Sequence, residues 1–348
     1  MTPIRFVAVA VLMLALAGAV RAQQNAGEVT HYLKDIAKFS ADEVASLDAG
    51  QVIAKTESSA DEGEIAVVGA VRIRASKERV ADYFHLLVTY VDGEVTLQIG
   101  ELHNPPRPQD VAALTLPDDD VRNLRDCKPG DCDVKLGGAG LAEIQSAINW
   151  NAPDATSQIN ALARRRLLDY VAAYMRQGNA ALVTYNDTSA PVSMNAEWQG
   201  LLRNSPNIMT YAPALAQYLD RYPNATLPGG RDFIYWAKEV YAGHPVVHAD
   251  HMVRWQDPQR PDRITIAQKQ IYASHYYNGS LAITTILDST PPVGAPLSTV
   301  IYFNRSRADL LKGGFGGGVK RRVGESQARK AAEDTLGNMK TALEKSGG

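Results

Sequence analysis

The strongest constraint on this chain lies in its last third. From Ile264 to Lys345 the pattern is strand, strand, strand and one long helix. Ile264 to Tyr277 (ITIAQKQIYASHYY) is rich in β-branched and aromatic residues, which suit a pleated, half-buried surface. Asn278-Gly279 follows, and this pair predicts a two-residue hairpin turn because both residues tolerate positive φ. Leu281 to Leu287 then returns, a Pro- and Gly-rich turn spans Asp288 to Pro296, and Ser298 to Asn304 is a third strand. A glycine-rich loop, Lys312 to Gly318, leads into a helix that runs to Lys345. On that helix Val319, Val323, Ala328, Ala331, Leu336, Met339 and Leu343 recur at spacings near three and four, which predicts one apolar stripe. A sheet and a helix of this kind must cover each other. The predicted fold class is therefore α+β: a curved antiparallel sheet gripping a long C-terminal helix, with a cavity between them.

Upstream, Glu28 to Phe39 can form a short helix. Ser40-Ala-Asp-Glu43 is a capping box that starts another, with the Ser hydroxyl satisfying one free N–H and Glu43 reaching back. Gln51 to Thr56 and Glu64 to Arg74 are predicted strands, Ser76 caps a helix through Leu87, and Val95 to Gly100 is a further strand. Asn104-Pro-Pro-Arg-Pro108 then breaks regular structure. The next segments are mainly helical: Leu116 to Leu124, Ala155 to Gln177, Ala196 to Arg203 and Ala212 to Arg221. In the longest of these, Ile159, Leu162, Leu167, Val171 and Tyr174 are spaced for burial. The triplet Asp118 to Asp120 fits a helix start, where carboxylates favour the dipole. It lacks the alternating ligands, the glycine and the distant Glu of a calcium loop. Phe233 to Val240 and Val246 to Trp255 are strands that lead into the C-terminal third. The order predicts one α+β domain over residues 23–348, with a large helical insertion at about 102–230.

The first residues carry Arg5, an apolar run from Phe6 to Ala17, and Val20-Arg21-Ala22 before polar Gln23-Gln24. That pattern predicts a signal peptide over residues 1–22, and the run is short for a membrane anchor. The mature chain is then expected in the periplasm or outside the cell. Removing Arg5 and Arg21 from 36 basic residues leaves 34 against 38 acidic ones, a net charge of −4. That balance gives no reason to expect nucleic-acid binding.

The two cysteines stand in Cys127-Lys-Pro-Gly-Asp-Cys132. Pro-Gly favours a tight turn that brings the ends together, and an exported protein meets an oxidising compartment, so a disulfide is predicted. So short a loop stabilises the fold by about 2 kcal/mol. The spacing is not C-x-x-C, and no further thiols or histidines lie nearby to complete a metal site.

The order of elements resembles the helix-grip fold of START lipid-transfer domains, birch-pollen-allergen-like proteins and polyketide cyclases. Val71 to Phe84 (VRIRASKERVADYF) looks like that superfamily's opening strand, small-residue cap and helix. Val300 to Leu343 looks like its closing strand and helix. Residues from about Leu102 to Gly230 have no counterpart in a minimal domain of that kind. The Cys-Lys-Pro-Gly-Asp-Cys loop also resembles that of exported bacterial proteins without an assigned activity. The helix-grip resemblance implies a chamber between sheet and helix for a lipid, sterol or polyketide.

Candidate site residues follow from the later strands. Trp236, Tyr272 and Tyr277 can line an apolar pocket while offering a polar handle, or simply pack in the core. His275 can act as a base beside Tyr272 or Tyr277, or be paired within the sheet. Arg305 alternates with Phe303 and Ile301, so if it points inward it needs an anion: a ligand head group or a carboxylate such as Asp309. Phe315 sits among five glycines with Lys320, Arg321 and Arg322 beyond, a loop that can gate the chamber and touch an anionic membrane surface. His244, His248 and Asp250 share a strand face while His251 faces away. His248 and Asp250 could jointly hold a metal with His275 as a third ligand, or form a solvated or hydrogen-bonded strand face; no H-E-x-x-H spacing accompanies them, so no metal or other cofactor is predicted. There is no G-x-S-x-G elbow and no complete catalytic set. The expected function is non-catalytic binding or carriage of a hydrophobic small molecule or lipid. The alternatives are an enzyme of the same fold using His275 and a neighbouring Tyr, and an envelope protein that binds a partner through its helical block.

Overall fold

The computed structural model describes residues 25–87, 91–241, 243–289, 291, 294–308, 311 and 317–345. The predicted signal segment, Asp309, and residues 312–316 with Phe315 lie outside the described residues. The chain begins with α1 (25–31), which continues as a π-helical turn over Tyr32–Ile36. Then come α2 (Ala41–Asp48), β1 (Ile53–Glu57), β2 (Glu64–Ile73), α3 (Lys77–Leu87) and β3 (Thr96–Leu102). A helical block follows: α4 (Asp118–Leu124), α5 (Gly138–Ala147), α6 (Ala155–Gln177), the short pair β4 (Thr184–Tyr185) and β5 (Val192–Ser193), α7 (Met194–Arg203), α8 (Pro206–Tyr211) and α9 (Pro213–Arg221). The chain closes with β6 (Gly230–Tyr241), β7 (His244–Trp255), β8 (Arg263–Ala273), β9 (Tyr277–Asp288), β10 (Ser298–Ala308) and α10 (Gly317–Lys345).

Eight strands form one antiparallel sheet in the order β1-β2-β10-β9-β8-β7-β6-β3. The fold is thus α+β, with the predicted capping box at Ser40 and Glu43 in place at the start of α2. Both faces of the sheet are covered, which explains why strands such as β2 (EIAVVGAVRI) are apolar at successive positions. On one face Val71, Ile73, Ile286 and Val300 meet Leu336, Met339 and Leu343 of α10 and Val80 of α3. On the other, Trp236, Ala249, Val253, Ala267, Ile283 and Ile301 meet the helical block through Tyr174, Trp198, Leu201 and Leu219.

The terminal helix lies against β1, β2 and α3, over one edge of the sheet. Gly69 lets it approach: a Cβ there would stand 2.8 Å from Leu336 Cδ1. The predicted stripe holds only from Ala328 onward. Ala332, one position beyond the predicted Ala331, is buried, and Val319 and Val323 are 66% and 51% exposed. Gly324 stands over Ile65 near the end of the sheet, where a Cβ would come within 2.7 Å of Ile65 Cδ1.

The Asn-Gly hairpin prediction is overturned. Asn278 and Gly279 lie inside β9, and Gly279 pairs with Arg307. The turn is Ser274 to Tyr276, with Tyr276 at φ +62° and Tyr277 N donating to His275 O at 2.6 Å. Gly279 serves packing: a Cβ there would meet Leu201 of α7 at 3.4 Å.

A disulfide joins Cys127 and Cys132 as predicted. No helix among the described residues is long and apolar enough to cross a membrane.

Candidate functional site

The helical block leaves an apolar cavity of about 420 Å³ against the sheet. Val247, Tyr272 and Ser274 form its sheet side, Ile159, Leu162, Ala163 and Leu167 of α6 one wall, and Leu124 and Ile144 another. It lies on the face away from α10, not in the space beneath the terminal helix that the sequence pattern points to. Small residues make it possible. Gly137 to Gly140 bring the start of α5 close to the β4 region, where Gly138 N donates to Asn186 Oδ1 at 3.0 Å. A Cβ at Gly137 would already stand 3.2 Å from Val183 Cγ2.

The polar side chains at this cavity, Thr184 apart, have partners inside the protein. Tyr272 OH donates to Lys135 O at 3.2 Å, and Tyr170 OH donates to Ile271 O. Ser274 Oγ accepts from Val247 N at 3.0 Å. The Arg166 guanidinium is paired with Glu143. Burial pushes both phenols well above the ordinary tyrosine range, so they stay protonated and cannot serve as bases at neutral pH. The space therefore favours a neutral, apolar occupant.

A cluster of three titratable side chains, none of which lines the cavity, stands at the end of the sheet where β7 begins and β8 turns into β9. Asp120 of α4 is fully buried, and its Oδ1 lies 2.8 Å from His275 Nε2 and 3.6 Å from His244 Nε2. The His244 and His275 rings meet edge to face at 4.6 Å. Asp120 shares α4 with the cavity residue Leu124, and His275 follows Ser274.

A second polar network occupies the other face. His248 Nδ1 is bonded to Asp250 Oδ2, and His248 Nε2 lies 3.2 Å from Glu239 Oε2. Burial acts to lower the His248 pKa, but the two carboxylates overcome it and raise it to about 10. Gln268 Nε2 donates to Tyr235 OH at 2.8 Å within the same network. His251 points the opposite way, as its position in the strand predicts, and lies 3.0 Å from Tyr174 OH and 2.9 Å from Asp232 Oδ2.

The predicted site residues separate. Tyr272 lines the cavity; His275 does not, and lies 2.8 Å from Asp120 Oδ1 instead. Trp236 is fully buried and donates from Nε1 to Asp110 O at 2.8 Å. Tyr277 packs against Tyr241 with ring centroids 5.5 Å apart. Arg305 has protein carboxylates for partners: it lies 2.8 Å from Glu64 Oε1 and 3.0 Å from Glu57 Oε2. The residues that sequence patterns did not single out are Asp120, Ala163, Val247 and the Gly137 to Gly140 run. The last carried a signal, since three glycines in four positions at a helix start imply close backbone approach.

No protein-family model matches this chain, and no curated protein matches it.

Proposed function

We propose that the protein is an exported, periplasmic binding or carrier protein for a neutral hydrophobic small molecule, such as a lipid or a lipid fragment. The observation that carries this reading is the cavity of about 420 Å³, apolar on nearly every side, where Tyr272, Ser274 and Arg166 are already bonded within the protein. Its size falls within the roughly 300–1,000 Å³ range of small-molecule sites. The Cys127–Cys132 disulfide and the signal-like pattern of residues 1–22 support export. Lys320 and Arg322 point outward beside exposed Val319 and Val323, which suits brief contact with an anionic membrane surface.

Solvent extraction of protein purified from its host, followed by mass spectrometry, tests this. The expected result is one apolar compound recovered in near-stoichiometric amount. A protein that yields none, and that also fails to bind neutral apolar dyes, contradicts the proposal.

One observation favours a second reading, an enzyme that uses His275 as a base. Asp120 holds the His275 ring, one residue beyond the cavity residue Ser274, as a base's orienting carboxylate does. Under that reading His275→Ala abolishes turnover of the bound compound, and unchanged turnover rejects it.

A further inference from the structure

The Asp120, His244 and His275 cluster leaves two buried polar atoms without a use. Asp120 Oδ2 and His244 Nε2 are buried and have no hydrogen-bond partner among the described residues. A tie between α4 and the sheet needs only Asp120 Oδ1 and His275. It does not account for a second imidazole nitrogen aimed at the same carboxylate, or for a carboxylate oxygen buried with nothing to accept from. Leaving such atoms unmatched is costly in a buried setting.

We propose that these three side chains bind one divalent first-row transition ion of the Zn²⁺ class. Each offers one donor atom, and all three donors lie within 4.8 Å of one another. Two ligands about 2 Å from a tetrahedral centre stand roughly 3.3 Å apart, so donors now 2.8 and 3.6 Å apart need only small movements. Two imidazoles and a carboxylate suit Zn²⁺ and its neighbours better than Ca²⁺ or Mg²⁺, which favour oxygen donors. The ligands come from three separate places in the chain: α4, the start of β7 and the β8–β9 turn. The ion therefore pins the helical block to the end of the sheet. Three protein donors leave a fourth position for water or an outside ligand, as in zinc sites that handle substrates rather than purely structural ones. The neighbouring charged and polar groups are Lys238, whose ammonium feels the charge of Asp120, and the Tyr272 and Tyr276 rings. This site stands apart from the cavity-binding proposal and does not require it.

The test is a Zn²⁺ titration of the whole protein after chelator treatment, read by competition with a metal-sensitive dye and repeated with His244→Ala and Asp120→Asn. His244 makes no hydrogen bond through Nε2 and is a quarter exposed, so its truncation spares the fold. The expected result is one ion per chain, with binding at least about 100-fold weaker in both variants. Saturating Zn²⁺ also raises the unfolding midpoint of the wild-type chain and leaves that of His244→Ala unchanged. Absence of binding by the wild-type chain overturns the proposal. So does undiminished binding by folded His244→Ala, which would place the ion elsewhere. Because no apolar compound is present, failure here leaves the cavity proposal standing.

Discussion

His275 Nε2 lies 2.8 Å from Asp120 Oδ1, a contact that joins the β8–β9 turn to α4 across 155 positions of sequence. The two partners are not equivalent. Removing His275 takes the 2.8 Å partner from a fully buried carboxylate and leaves only His244 at 3.6 Å, whereas removing Asp120 leaves no buried carboxylate behind. In metal-free protein His275→Ala is expected to cost about 3 kcal/mol, and Asp120→Ala clearly less. Urea unfolding of the two variants checks the order. Equal losses would mean that the contact does not carry a buried charge.

Lys269 is fully buried beneath α6 and α7, 4.1 Å from the Trp198 ring centroid and 5.2 Å from that of Tyr174. Burial lowers its pKa to about 7, only partly opposed by Asp220. The native chain therefore binds fewer protons at this position than the unfolded chain between pH 7 and 10.5, and the Lys269 contribution to stability falls as pH falls through that window. His248 acts in the opposite sense. Its pKa of about 10 exceeds the ordinary 6.5, so its contribution is complete below pH 6.5 and is lost as pH rises towards 10. From pH 7 to 9.5 the two slopes offset, and Lys269→Met exposes the His248 slope alone. Stability of that variant is expected to fall by up to about 1.4 kcal/mol per pH unit relative to wild type. Denaturant midpoints across this range check it, and parallel profiles would contradict it.

Glu64 is fully buried and accepts four hydrogen bonds. Oε1 takes them from Arg305 Nη1 at 2.8 Å and Ser59 Oγ at 3.0 Å; Oε2 takes them from Arg307 Nε and Asn204 Nδ2, both at 2.9 Å. It thus couples β2 to β10 and to the end of α7. Glu64→Gln removes the charge that two half-buried or buried guanidiniums face, and is expected to destabilise the fold by about 3 kcal/mol. A loss below about 1 kcal/mol, the level of a surface pair, would show that Arg305 and Arg307 are held by Glu57, Asp61 and Glu197 instead.

Much of the fold is legible in the sequence where a pattern is long and one-sided. Ile159, Leu162, Leu167, Val171 and Tyr174 of α6 are all buried as their spacing predicts, because a helix of 23 residues repeats its apolar face several times. Local signals mislead where distant contacts decide. Asn278-Gly279 has the chemistry of a turn, yet its glycine is placed under Leu201 of α7, and Tyr276 takes the positive φ instead. Of Asp118, Asp119 and Asp120, all suited to a helix start, only Asp120 turns inward, because the β8–β9 turn brings His275 to it. The cavity was hidden for a related reason. Its volume arises where several separate segments fail to fill the space between them, which no single stretch records.

The central claim is that the space between α6 and β7 to β8 holds a neutral apolar guest. Burying about 250 Å² of apolar ligand surface there gains roughly 6 kcal/mol before association costs. Ala163 lines the cavity from α6, and Ala163→Phe places a phenyl ring in that space. The decisive measurement is a titration of wild type and Ala163→Phe with a neutral polycyclic fluorophore, with unfolding midpoints recorded alongside. The account predicts saturable one-to-one binding by wild type, and at least about 10-fold weaker binding by a variant of undiminished stability. Equal binding by both proteins would contradict it.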